Sequence, residues 1–172
     1  SFNITADSTL SWSWKTQYMA SMGVSGYGSV GMSSGWQEAG TNLNIAATPS
    51  NNWHFVNWTG DITSTNNPLN ITMSQAYSLT ANFAIDTYDV TALPSVNGAI
   101  APAGTTMVDH GSNAIYTITP SANYHVTDVM VDSVSQGTTN SYTFVNVTNG
   151  GHIIEAIFAI DTFTLAVNSA YG

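Results

Sequence analysis

Apolar and polar residues alternate along several short stretches of the chain. In residues 79–85, Leu79, Ala81 and Phe83 alternate with polar or small residues, and residues 114–118 show the same period of two. Such alternation is typical of a β-strand with one buried side and one side that faces solvent. The pattern therefore predicts half-buried strands whose apolar side chains form the core.

Turn-forming residues separate these stretches. The pairs Asn97-Gly98 and Asn67-Pro68 and the run at residues 149–151 interrupt the alternation. No long window combines helical spacing with good helix formers, and the abundant Thr, Val, Ile, Tyr and Trp residues favour pleated surfaces. We therefore predict an all-β fold.

Two long segments of the chain resemble each other. Residues 40–55 and 111–126 share a glycine, an apolar alternation, a Thr-Pro-Ser turn and an aromatic-His-apolar triplet, and residues 79–87 match residues 154–162. The repeat is about 70 to 75 residues long, and a fixed period of this kind marks tandem structural units. The side chains predicted to be buried in the last strand of each repeat are Leu79, Ala81 and Phe83, and Ile154, Ala156 and Phe158.

The two ends of the sequence resemble parts of a repeat. Residues 10–14 resemble the closing strand at 79–83, and residues 162–167 resemble the opening strand at 87–92. The sequence divides into closing strands of an incomplete repeat (1–17), two complete β-repeat domains (18–87 and 88–162) and the opening strand of an incomplete repeat (163–172). We expect each complete repeat to be a small β-sandwich or β-grasp-like domain.

One run of residues resembles a known family. The Trp-Thr-Gly-Asp corner at 58–61 follows a Thr-Pro-Ser turn and an aromatic-His-apolar strand, and it precedes the alanine-aromatic strand at 79–83. This series resembles the divergent internalin B-repeat domain of bacterial surface proteins. In the second repeat, residues 128–132 replace the corner. The resemblance implies tandem all-β modules in secreted adhesins and stalks, and it does not by itself imply an activity.

The chain carries almost no positive charge. Lys15 is its single cation, against ten acidic residues and a net charge of −9, and charged residues make up 6% of the chain, compared with roughly a quarter in typical globular proteins. Nucleic acid and anionic membranes reward clustered Lys and Arg, so neither is an expected partner. Cysteine is absent, which excludes disulfides and thiolate metal sites. A surface rich in Ser, Thr and Asn favours an extracellular or cell-surface location.

Catalytic carboxylates are not apparent in the sequence. A pair such as Glu38 and Asp61 would have to face one cleft, with the two groups about 5 to 10 Å apart. Asp61 belongs to a turn motif in which Asp is the usual occupant. We therefore expect no enzymatic activity and no cofactor.

Metal ligands are few. The four histidines are His54, His110, His125 and His152, and His54 and His125 occupy the same place in successive repeats, which indicates a packing or surface role. Asp128 and Asp132 share a strand face and offer the hard oxygen ligands that calcium prefers. They are candidate calcium ligands, and the alternative is two solvated carboxylates.

Aromatic residues suggest two opposing interpretations. The five tryptophans, Trp12, Trp14, Trp36, Trp53 and Trp58, could form a platform that stacks on sugars. Trp12 and Trp14 alternate with serines on the same side as Leu10, however, which matches the core pattern of residues 79–83. The pattern therefore favours burial of the rings over a sugar platform.

Asn-x-Ser/Thr sequons begin at Asn3, Asn57, Asn70 and Asn146. They are candidate glycosylation sites in an exported protein. Chance accounts for about four such sequons in a chain this rich in Asn, Ser and Thr, and turn geometry explains them equally well.

The strands at the two ends predict a mode of assembly. The assembly residues are Leu10, Trp12 and Trp14 near the start and Phe163, Leu165 and Val167 near the end. An unpaired strand exposes N–H and C=O groups that template pairing with another chain, and a repeated head-to-tail contact gives an open filament. The alternative is that both ends fold back on their own repeats.

We expect a non-catalytic extracellular structural or adhesive protein, whose copies join head to tail into a surface filament by strand sharing. The further partners expected are glycans or host or cell-surface ligands, without insertion into a membrane. Two alternatives are a carbohydrate-binding module of a secreted enzyme and a fragment of a longer multi-repeat adhesin.

Overall fold

The structure is a computed structural model that describes residue 9 and residues 11–165. Strands, turns and bends make up this part of the chain, and it contains no helix that could span a membrane. The chain divides into two compact units between Ile85 and Asp86. The predicted all-β fold is confirmed.

The first unit contains eight strands. They are β1 (Gln17–Ser25), β2 (Gly28–Val30), β3 (Gly35–Glu38), β4 (Asn42–Ile45), β5 (Ala47–Pro49), β6 (Trp53–Gly60), β7 (Leu69–Thr72) and β8 (Tyr77–Ile85). One sheet has the order β3-β1-β8-β6, and within it β1 runs parallel to β8, with Ala20 opposite Tyr77. Strands β2 and β5 and strands β4 and β7 form two antiparallel pairs that contribute to the same core as the sheet.

The second unit repeats this plan with eight further strands. They are β9 (Thr87–Ala92), β10 (Gly98–Ala101), β11 (Gly104–Asp109), β12 (Ala114–Pro120), β13 (Tyr124–Val131), β14 (Val134–Ser135), β15 (Ser141–Phe144) and β16 (His152–Ile160). A five-stranded sheet in the order β11-β9-β16-β13-β14 and a three-stranded sheet in the order β10-β12-β15 share one core. As in the first unit, the opening strand β9 runs parallel to the closing strand β16, with Val90 opposite His152.

The closing strands supply the core as the alternation predicts. Leu79, Ala81 and Phe83 of β8 are buried, and so are Ile154 and Ala156 of β16. Phe158 is only half-buried. Its ring lies against Gly98, where an added Cβ would come within 2.2 Å of it.

The expected burial of Trp12 and Trp14 is wrong. Their exposed fractions are 76% and 91%, and residues 11–16 form no strand. Residues with the same place in the repeat, such as Phe83, are buried because β8 has a partner strand on each side and the rest of the unit over its inner face. Alternation marks the side of a strand that can be buried, but burial also requires those neighbours.

The remaining tryptophans also differ from one another. Trp36, on the edge strand β3, is exposed, Trp53 is half-buried and Trp58 is fully buried. The expectation of burial therefore holds fully for Trp58 only.

Candidate functional site

The Trp-Thr-Gly-Asp corner at the end of β6 anchors the first unit. Trp58 is 0% exposed, and its indole Nε1 donates a hydrogen bond to the carbonyl oxygen of Asn66 at 3.1 Å. Its backbone exchanges hydrogen bonds with Ser64. Because a buried indole N–H needs an acceptor, the following loop folds back over the ring. Trp58 therefore belongs to the core and offers no face to a sugar.

Gly60 and Asp61 complete this corner. Gly60 has a φ of 111°, and a Cβ there would lie 2.1 Å from the carbonyl oxygen of Ser78, so only glycine fits. The Asp61 N–H donates to the Ser78 carbonyl oxygen at 3.0 Å, and the Ser78 N–H donates to Asp61 Oδ2 at 2.7 Å. The Asp61 carboxylate thus closes a ring between β6 and β8.

The second unit keeps the aspartate but changes the corner. The Asp132 N–H donates to the Ile153 carbonyl oxygen at 2.9 Å, and the Ile153 N–H donates to Asp132 Oδ1 at 2.8 Å. Asp132 and Ser133 have φ values of 49° and 68° and form a two-residue turn into β14. Residues 128–132 replace the corner in sequence, but Asp132 has the same role in the structure as Asp61.

Asp132 also bonds the imidazole of His152. The distance from His152 Nδ1 to Asp132 Oδ2 is 2.7 Å, and the imidazole ring lies 5.2 Å from the ring of Phe144. Burial raises the pKa of Asp132, but the Ile153 N–H, the hydrogen bond from His152 and the charge of His152 lower it, so that the pKa lies below the ordinary value of 3.8. Asp132 is therefore ionised at neutral pH and orients the imidazole.

Acid should remove the contribution of Asp132 to stability. Because its pKa is lower in the folded state, the stabilisation is present above about pH 4 and is lost as the pH falls through the folded pKa. We expect Asp132→Asn to cost about 1 kcal/mol at pH 6, and the difference from the wild type to shrink towards pH 2.5 in thermal unfolding. Asp109→Asn, on the edge strand β11, controls for the loss of one charge. A difference that stays constant with pH would contradict the assignment.

The two candidate calcium ligands have separate hydrogen-bond partners. Asp128 Oδ1 accepts hydrogen bonds from the Ser135 hydroxyl at 2.8 Å and from the Gly137 N–H at 3.0 Å, whereas Asp132 serves His152 and Ile153. Among the residues that the structure describes, no group of three or more His, Asp or Glu residues could hold a metal ion.

The two candidate catalytic carboxylates, Glu38 and Asp61, also interact with different partners. Glu38 Oε1 lies 2.6 Å from Lys15 Nζ in an exposed ion pair, whereas Asp61 bonds the backbone of Ser78. A Gly-x-Ser-x-Gly run occurs at 31–35, between β2 and the start of β3, and Ser33 holds the position of the nucleophile. The neighbouring Ser34 Oγ accepts the Met22 N–H at 2.8 Å. A nucleophile elbow requires a strand followed by a helix, which this loop lacks.

The remaining histidines lie apart in the fold. His125 Nδ1 is 2.9 Å from Asp161 Oδ1, and His110 Nδ1 is 3.4 Å from the Tyr88 hydroxyl. His54 lies on β6 at the place that corresponds to His125 on β13.

The sequons differ in their surroundings. Asn57 is half-buried in β6 and accepts a hydrogen bond from Asn82 at 2.9 Å. Asn70 on β7 and Asn146 in the loop after β15 are exposed. Asn3 lies outside the described residues.

Exposed apolar side chains flank the two units. Phe163 and Leu165 are each 87% exposed, and Trp12 and Trp14 are exposed at the other end. The two other assembly residues, Leu10 and Val167, lie outside the described residues. The exposed side chains therefore form two candidate interaction segments, at residues 11–16 and 161–165.

The second unit contains a pocket that the residue patterns do not predict. It lies between the end of β13, strand β15 and the loop before β16, and it includes Tyr142, Asn149 and His152. The available signal was the difference between the repeats, because His152 takes the place of Tyr77.

Comparison with known proteins identifies the class of these modules. The sequence model of the divergent InlB B-repeat domain matches residues 18–87 and again residues 88–162. The chain belongs to this family, as the resemblance indicated. No curated protein and no solved structure matches the chain significantly.

Proposed function

We propose that this protein is a non-catalytic structural or adhesive part of an extracellular bacterial surface protein. Both units belong to a bacterial surface repeat family, which supports this proposal. The residues that stand out in the corners also have structural roles: Trp58 is buried in the core, and Asp61 and Asp132 hydrogen-bond the adjacent strand. A surface with one cation and many Ser, Thr and Asn residues suits this setting.

The exposure of the flanking segments supports a more specific proposal, that copies of the protein assemble with one another. Leu165 is 87% exposed, whereas Val90, at the same place in the second repeat, is 0% exposed. Trp14 is 91% exposed, whereas Phe83 is 6% exposed. The apolar residues at these places, Val90 and Phe83, are therefore buried within a complete repeat, and Phe158, at the place of Phe83 in the second repeat, is half-buried. We infer that residues 9–16 and 161–165 pair with strands supplied by a second copy.

The strand pairs within the two units support one register for the proposed pairing. Ala20 lies opposite Tyr77 in the parallel pair of β1 and β8, and Val90 lies opposite His152 in the parallel pair of β9 and β16. In the repeat alignment Leu165 corresponds to Ala20 and Val90, and Ser8 corresponds to Tyr77 and His152. The opening-type strand of one copy would thus lie parallel to the closing-type strand of the next, which gives a head-to-tail filament.

Sedimentation measured over a range of concentrations tests this assembly. We expect the wild type to form species that grow with concentration, and the double variant Trp12→Ser/Trp14→Ser to stay folded and monomeric. Trp36→Ser is a matched control because this tryptophan is also exposed but lies on β3, outside the pairing segments. Electron microscopy of the wild type should show filaments.

Two outcomes would contradict the assembly. One is a wild-type chain that remains monomeric at high concentration. The other is a double variant that associates as strongly as the wild type.

A further inference from the structure

The second unit contains a pocket of about 240 Å³ between the end of β13, strand β15 and the loop before β16. The lining side chains that carry the argument are Asp132, Tyr142, Asn146, Thr148, Asn149 and His152. A concave site in which polar groups converge beside aromatic side chains is a candidate small-molecule site.

The imidazole of His152 is held in place from two directions. Asp132 Oδ2 bonds its Nδ1 at 2.7 Å, and the ring of Phe144 lies 5.2 Å away. The carboxylate accepts a hydrogen bond from the Nδ1–H of the imidazole, which leaves Nε2 as the ring nitrogen that can bond a ligand. The pocket therefore contains an imidazole whose orientation is fixed before any ligand arrives.

The loop beside His152 supplies further polar groups. Within the described chain, the side chains of Thr148 and Asn149 make no hydrogen bond, and both residues are exposed. Asn146 lies in the same loop. Its backbone N–H donates a hydrogen bond to Asn113 Oδ1 at 2.8 Å, which holds the loop against the rest of the unit. Amides and hydroxyls both donate and accept, and this matches the adjacent hydroxyls of a sugar ring.

Tyr142 contributes an aromatic side chain to the wall of the pocket. Its ring is half-buried and packs edge-on against Phe144, with the ring centroids 5.0 Å apart. Such packing restrains the tyrosine and presents an aromatic surface to the C–H groups of a ligand.

The first unit has other residues at the positions of the pocket residues. The paired strands place Leu69 and Ile71 of the first unit where Tyr142 and Phe144 lie in the second. Tyr77 occupies the place of His152. The segment from residue 144 to 152 is also two residues longer than the segment from 71 to 77. Because the first unit forms the equivalent strand pair without these groups, the fold does not require the pocket.

The charge of the pocket restricts the ligand. Asp132 contributes negative charge, and the single cation of the chain, Lys15, is paired with Glu38 in the first unit. An anionic ligand would therefore be repelled. The volume is smaller than the ~300–1,000 Å³ of sites for drug-sized ligands, which suits a single ring.

We propose that this pocket binds one ring of a neutral saccharide. The proposal rests on the proposed function for its extracellular setting. It identifies neutral saccharides as the ligand class for the adhesive role. His152 Nε2 and the side chains of Thr148 and Asn149 bond the hydroxyls, and Tyr142 packs against the ring.

Saturation-transfer NMR on the full chain tests the pocket. The probes are glucose, galactose, mannose and N-acetylglucosamine at millimolar concentration, with glucuronate as the anionic comparison. We expect transfer to at least one neutral sugar and none to glucuronate. The signal should fall at least fivefold in His152→Tyr, which installs the residue of the first unit, and in Asn149→Ala. Asn44→Ala, an exposed amide of the first unit, should leave it unchanged.

The result that would overturn the proposal is the absence of transfer to all four neutral sugars, or transfer that survives both pocket variants. Stronger binding of glucuronate would overturn it as well. Thermal unfolding of each variant shows whether a lost signal reflects a lost fold, and Asn149→Ala changes only an exposed side chain. A chain that associates end to end but binds no sugar contradicts this proposal alone. A chain that binds sugar without associating contradicts the strand sharing alone.

Discussion

Replacing Trp58 with alanine should destabilise the first unit by about 3–5 kcal/mol, the usual cost of truncating a fully buried tryptophan. The indole is 0% exposed, and its Nε1 bonds the carbonyl oxygen of Asn66 at 3.1 Å. The substitution would thus leave both a cavity and an unsatisfied carbonyl. Chemical denaturation followed by tryptophan fluorescence and circular dichroism should show an earlier transition for the first unit and an unchanged transition for the second.

Trp36→Ala is the matched control for this prediction. Trp36 is exposed on the edge strand β3, and substitutions at such positions usually change stability by less than about 0.5 kcal/mol. A Trp58→Ala protein as stable as Trp36→Ala would contradict the assignment of Trp58 to the core. It would also reopen the sugar-platform interpretation of this residue.

Replacing Gly60 with alanine should have the second large effect. A Cβ there would lie 2.1 Å from the carbonyl oxygen of Ser78, and the φ of 111° is a conformation that residues with a side chain rarely adopt. Backbone strain alone costs about 1–2 kcal/mol, and displacement of β8 adds to it. We expect a total loss of about 3 kcal/mol or more in the free energy of unfolding of the first unit.

Gly40→Ala separates the two components of this cost. Gly40 also has a positive φ, of 82°, but an added Cβ there would meet no atom within 4 Å. Its replacement should cost only the strain, about 1 kcal/mol. Equal losses in Gly60→Ala and Gly40→Ala would show that Ser78 does not limit the corner.

The strands and most of the core were predictable because alternation is a local property. Leu79, Ala81 and Phe83 face inward as their spacing indicates. The same spacing predicted burial of Trp12 and Trp14, and that prediction is wrong because burial depends on partner strands that alternation does not specify. The family was predictable because its motif consists of residues with strict local requirements, such as Gly60.

The candidate site was less accessible to sequence reasoning. Tyr142, Asn149 and His152 come from two strands and a loop, and the pocket forms only when β15 and β16 pack in one unit. The hydrogen bonds of Asp132 depend on the backbone of Ile153, which no residue pattern reveals. The substitution of His152 for Tyr77 was visible in the sequence, but its significance required the position of Asp132.

Cysteine crosslinking tests the shared strand most directly, because the chain has no cysteine of its own. Ser21 lies opposite Ser78 and Thr91 lies opposite Ile153, and both pairs correspond to Ala166 and Thr9 in the repeat alignment. Copies with Thr9→Cys would be mixed with copies that carry Ala166→Cys under mild oxidation. Ala166 lies outside the described residues, so its place comes from the alignment alone.

The matched control mixture pairs Ser13→Cys with Ala166→Cys. Ser13 is four residues further along the strand, about 13 Å away, whereas a disulfide needs Cα atoms about 4.4–6.8 Å apart. Strand sharing predicts disulfide-linked dimers in the Thr9→Cys mixture and few or none in the Ser13→Cys mixture. Equal yields in the two mixtures, or no dimer in the first, would contradict head-to-tail pairing of these segments.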